Sequence, residues 1–80
     1  MMVSAQIRAA RALLRWSAKR LAEESGVSLP TIKRMEAVDG VPKGLSRNLE
    51  AVQRTLERAG IGFIEDDGEG AGVRLKSIVN

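Results

Sequence analysis

Only Gly26 and Val27 separate two short segments with helical character, Ser17 to Ser25 and Ser28 to about Ala37. A joint this tight does not let two helices run on in line or fold into a parallel hairpin. It makes them cross at a steep angle, and that crossing sets a demand at each nearby position. Ala22 must be small where the helices approach. Gly26 must turn the chain, which suits the left-handed conformation that glycine adopts cheaply. Val27, Ile32 and Met35 must fill the wedge. Ser17 and Ser28 are the expected N-caps, since a serine hydroxyl accepts from a free first-turn N–H. Pro30 falls in the first turn of the later helix, where its missing N–H costs nothing.

Two further segments carry helical periodicity. In the first, Ser4 to Leu14, Ile7, Ala10 and Leu14 form one apolar stripe at i, i+3, i+7. Ser4 is its expected cap. Arg8, Arg11 and Arg15 repeat the same spacing one step round the helix. The other runs from about Ser46 to Ala59, with Leu45, Leu49, Val52 and Leu56 at i, i+4, i+7, i+11. Gly60 stops it. Beyond Gly60 the pattern changes. Ile61-Gly62-Phe63-Ile64 is short and β-prone, Asp66 to Gly72 is turn material, and Val73-Arg74-Leu75-Lys76 alternates apolar with polar. This reads as a β-hairpin over about 61–76. The fold class expected is mainly α, a four-helix bundle over about 4–60 followed by a C-terminal β-hairpin, in one domain of residues 1–80.

Composition narrows the chemistry. With neither Cys nor His, the chain has no disulfide, no thiolate or imidazole metal ligand and no imidazole base, so no metal, no cofactor and no catalysis are expected. No apolar run approaches the ~20 residues of a membrane span. The start, Met1-Met2-Val3-Ser4, has no basic stretch followed by an apolar one, so the expected address is the cytoplasm, or the nucleoid when bound to DNA. Charge is uneven: residues 1–60 carry eleven Lys/Arg against six Asp/Glu, and residues 61–80 carry two against four. A basic body with an acidic tail suggests a polyanionic partner.

The string Leu21-Ala22-x-x-x-Gly26-Val27-Ser28-x-x-Thr31-Ile32-x-x-x-Glu36 meets the steric demands of a helix-turn-helix. It resembles the phage repressor and Cro-type regulators, the xenobiotic-response-element family, over roughly residues 4–60. The whole chain also resembles small single-domain bacterial regulators with Gln6-Ile7-Arg8-Ala9-Ala10-Arg11 at the start and a Gly-rich C-terminal hairpin. The resemblance implies sequence-specific binding of double-stranded DNA, with helix 28–37 in the major groove. The base-reading candidates are Ser28, Leu29, Pro30, Lys33 and Arg34. Arg34 suits a guanine, and Leu29 and Pro30 suit a thymine methyl. Phosphate contacts are expected from Ser17, Lys19, Thr31, Lys43 and Arg47. Family members often carry Gln just after the cap of the second helix; here that position is Ala18. Arg11 and Glu36 match positions that form a partly buried ion pair behind the motif. Arg8 and Arg15 are expected in solvent, and Trp16 as a core plug.

A helix-turn-helix monomer contacts one half-site, so a homodimer is expected. Ile61, Phe63, Ile64, Val73 and Leu75 are the candidate interface, because four helices leave little core for them and an isolated hairpin is marginal in water. The competing arrangement folds the hairpin back onto the fourth helix. A second functional reading also stands: a protein-binding module, such as an antitoxin-like or anti-activator subunit, with DNA contact secondary.

Overall fold

The computed structural model describes residues 2–42 and 46–76. Four helices, α1 (Ser4–Leu14), α2 (Ala18–Ser25), α3 (Leu29–Ala37) and α4 (Ser46–Arg58), precede two strands, β1 (Ile61–Ile64) and β2 (Gly72–Leu75). The strands pair antiparallel, with Ile61 opposite Leu75 and Phe63 opposite Val73. Among the described residues no helix is long and apolar enough to cross a membrane. Leu45 and Lys43 of the expected pattern lie outside the described residues.

The caps of the two middle helices follow from local chemistry. Ser17 Oγ accepts from the Arg20 N–H at 3.0 Å, and Ser28 Oγ accepts from the Thr31 N–H. Gly26 ends α2 at φ 75° and donates its N–H to the Ala22 carbonyl. The end of α1 is less orthodox: Arg15 takes the left-handed conformation at φ 58°, where glycine is the usual choice.

The start of α1 differs from expectation. Its cap is Val3, and Ser4 lies inside the helix, fully buried. Ser4 Oγ donates instead to the Met35 carbonyl, 31 residues away. Helix termini leave carbonyls without partners, and this hydroxyl supplies one near the end of α3. The capping role passes to Gln6, whose Oε1 accepts from the Val3 N–H at 2.8 Å.

Ile7, Leu21, Ile32, Val52, Leu56 and Ile61 form a fully buried centre to which α1, α2, α3, α4 and β1 each contribute. The hairpin therefore belongs to the core of its own chain. Phe63, Val73 and Leu75 pack against that core, half-buried. The helices thus leave more core for these residues than the little that was expected. Ile61 in particular is enclosed and is not available as a side chain to another molecule. Four short helices leave one side of the α1–α4 pair uncovered, and the apolar face of the hairpin closes it.

Gln6 fixes the hairpin in place. Its Nε2 donates to the carbonyls of Ile64 and Gly72 at 3.1 and 2.8 Å, the residues that flank the acidic loop. The side chain is 4% exposed, so its loss strands polar groups away from water. Gln6→Ala is expected to cost about 1–2 kcal/mol and to speed amide hydrogen exchange in 61–75 ahead of the helices. Uniform acceleration over the whole chain would show that the hairpin does not open separately. At the loop tip, Asp66 accepts from the Gly68 and Gly70 N–H groups, both at 2.9 Å. These bonds, Gly68 first, hold its carboxyl below the usual carboxylate range.

Candidate nucleic-acid interface

The face that α3 turns to solvent follows from which of its residues are spent inside. Ile32 and Met35 are buried in the core. Glu36 is turned inward to Arg11, with its side chain only 10% exposed. At about 100° per residue these three span one side of the helix. Arg34 then lies near the middle of the opposite side, with Pro30 and Ala37 next to it. Lys33 and Thr31 fall on its two flanks. Pro30, Lys33, Arg34 and Ala37 are exposed, as is the cap Ser28. Leu29 is half-buried and leans toward the core, so its side chain is less outward than the sequence suggests. Among the described residues this face carries two cations and no acid.

Ser28, Thr31 and Arg34 are linked. Ser28 Oγ donates to Thr31 Oγ1 at 2.9 Å, and Arg34 donates through NH2 to the same Thr31 oxygen at 3.2 Å. The spacing i, i+3, i+6 stacks these side chains along one ridge. A long guanidinium normally loses considerable rotamer freedom when it settles on a partner. Here the threonine hydroxyl draws Arg34 back along the helix toward its N-terminus. NH2 has a second hydrogen, so one edge of the guanidinium, NH2 together with NH1 or Nε, keeps two parallel donors for a planar acceptor pair.

Behind α3 is a brace. Arg11 Nε donates to Glu36 Oε2 at 2.6 Å, and Arg11 NH2 to Glu36 Oε1 at 2.8 Å, a two-pronged arrangement that matches guanidinium to carboxylate. The third nitrogen, NH1, donates to the Trp16 carbonyl at 2.9 Å. One side chain thus joins α1, the α1–α2 turn and α3. The hydrogen bonds to Glu36 raise the affinity of Arg11 for its proton, burial opposes them, and the Glu36 charge adds to the rise. Arg8 is exposed, as expected, yet its side chain also reaches the end of α3. It donates to the Glu36 main-chain carbonyl. The reason is positional: Arg8 and Arg11 are one turn apart, so both pass the end of α3. Arg15 is exposed, as expected.

The flanks contain the remaining cations. Lys19 is exposed in the first turn of α2, and Arg47 is exposed in the first turn of α4. Ser17 is exposed, but its hydroxyl already serves as the α2 cap. Ala18 is half-buried, packed against the core. Trp16 is half-buried rather than a full plug. The Arg20 guanidinium sits 4.8 Å from its ring centroid and 3.8 Å from Glu24. Arg20 was absent from the sequence-derived candidates. The i, i+4 spacing of Trp16 and Arg20, and of Arg20 and Glu24, was the available signal. Gln6 was missed as a structural residue too, although it falls four residues before core Ala10 and so on the inner side of α1.

Comparison with protein-family models and with curated protein sequences finds no match.

Proposed function

We propose that this chain binds double-stranded DNA sequence-specifically as a small cytoplasmic transcriptional regulator. In this reading α2 and α3 form a helix-turn-helix within a repressor-like bundle, and α3 enters the major groove. The observation that carries it is the solvent face of α3. An arginine stands near its centre, tethered by a threonine, flanked by a lysine and free of acids, on a helix held from behind by Arg11 and Glu36. Arginine is the side chain best suited to the paired acceptors N7 and O6 of guanine. Pro30 and Ala37 beside it offer only apolar contact. Lys33, on one flank, suits a phosphate, and Lys19 and Arg47 extend the basic rim. Ser17 and the free N–H groups of the α2 N-terminus suit a backbone phosphate. The tether gives Thr31 a positioning role beside the phosphate contact expected from sequence, since its oxygen only accepts in the tether and its hydroxyl proton can still be donated. The half-buried Leu29 is a lesser base contact than Arg34.

The test is selection of bound sites from a random duplex library, followed by titration across salt. Enriched sites are expected to share guanine-containing half-sites in inverted repeat. Log affinity is expected to fall linearly with log salt, by about 0.9 for each phosphate contacted. Absence of duplex binding at low salt would overturn the reading.

A further inference from the structure

Arg34 accounts for one base, and the residue beside it on the α3 face is Pro30. On a helix, Pro30 lies about 40° from Arg34 on one side of the face and Thr31 about 60° on the other, both one turn nearer the N-terminus. The hydrogen bond from Arg34 NH2 to Thr31 Oγ1 draws the guanidinium back to the level of these two residues and toward the threonine. The exposed Pro30 ring stands beside it, uncovered. Residues four apart on a helix are about 5–6 Å apart at Cβ, and stacked bases about 3.4 Å. A guanidinium and a ring so spaced meet neighbouring base pairs rather than the same one.

The ring can read only part of a base edge. A proline side chain has neither donor nor acceptor. Its neighbour Ser28 has already given its hydroxyl proton to Thr31. The apolar part of a base edge in the major groove lies at C5 of a pyrimidine, where thymine carries a methyl group.

We propose that the base pair next to the guanine held by Arg34 is read through a pyrimidine C5 methyl group packed on Pro30, and that 5-methylcytosine serves there as well as thymine. The two bases carry the same methyl group on the same atom. They differ at C4, where thymine has an acceptor and 5-methylcytosine an amino donor. Pro30 offers no partner to either, so it does not tell them apart. Cytosine and uracil lack the methyl group and leave the ring in water, which forfeits the burial of apolar surface. A duplex whose cytosine carries the C5 methyl therefore binds as the thymine duplex does, and binding is sensitive to cytosine methylation. The inference rests on the DNA-binding reading and adds to it a class of modified ligand.

The test uses the full chain and a duplex obtained by selection, with the guanine of Arg34 located from the Arg34→Ala variant. At the two base pairs that flank it, either strand carries in turn thymine, uracil, 5-methylcytosine and cytosine, with the partner base changed to match. At one of these positions the methyl group is expected to tighten Kd about fourfold, thymine over uracil and 5-methylcytosine over cytosine alike. In Pro30→Ala both ratios are expected to fall toward unity, with the melting temperature near that of the parent. In Lys33→Ala all four duplexes are expected to weaken evenly and both ratios to persist. Three results each overturn the inference: ratios near unity at every flanking position in the parent chain, a methyl effect at thymine alone, or ratios that persist in Pro30→Ala. Each leaves the DNA-binding reading in place, because that reading is judged by duplex binding and by the guanine preference lost in Arg34→Ala. Absence of duplex binding overturns both.

Discussion

Replacing Glu36 with alanine is expected to lower the melting temperature by on the order of 15 °C. Removing one partner of a buried ion pair leaves the other charged and poorly solvated, at about 3–5 kcal/mol. Arg11 is 22% exposed and Glu36 10%, so the lower end applies, about 3 kcal/mol. In a domain of this length each kcal/mol shifts the midpoint by about 4–8 °C, which gives the figure above. The surface pairs supply the contrast. Arg20 with Glu24 and Arg54 with Glu50 are separated by 3.8 and 3.6 Å on exposed faces. Alanine at Glu24 or Glu50 is expected to change the midpoint hardly at all, because exposed pairs contribute about 0–1 kcal/mol. Thermal melts of the three variants check this. A Glu36→Ala midpoint within a few degrees of the parent would show that the brace does not hold α3.

Arg34→Ala is expected to weaken binding to the selected DNA site by about 1–3 kcal/mol, roughly fivefold to 150-fold, while the melting temperature stays near that of the parent. The side chain is exposed and outside the core, so the fold has little stake in it. One position of the site is expected to lose its guanine preference. Arg34→Lys is expected to lose most of the same discrimination, since an ammonium cannot present the two parallel donors of a guanidinium. Thr31→Val keeps the shape of the residue and removes the oxygen that holds Arg34. It is expected to relax the same position to a smaller degree. Lys33→Ala is expected to act differently, weakening all sequences evenly and reducing the salt slope by about 0.9. Selection repeated with each variant separates these outcomes. An unchanged guanine preference in Arg34→Ala would remove α3 as the reading element.

Caps and turns were legible in the sequence because their physics spans three or four residues. Ser17 and Ser28 cap α2 and α3, and Gly26 turns the chain between them, all through partners within one helical turn. The stripe of Val52 and Leu56 marks the buried face of α4, as repeating spacing does wherever one side of a helix is enclosed. The alternation in Val73-Arg74-Leu75 likewise separates the two faces of β2.

Tertiary structure alone decided what those faces meet. Nothing near Ser4 in sequence calls for its hydroxyl at the Met35 carbonyl, so its likeness to an N-cap is misleading. Gln6 finds its acceptors 58 and 66 residues away, and Arg8 finds one 28 residues away. The alternation of the hairpin says that one side is apolar but not whose core receives it. That depends on the space α1 and α4 leave open, which only the packed helices define. Local hydrogen-bonding geometry and hydrophobic spacing are written in neighbouring residues. The pairing of distant polar groups depends on how the assembled elements fit together.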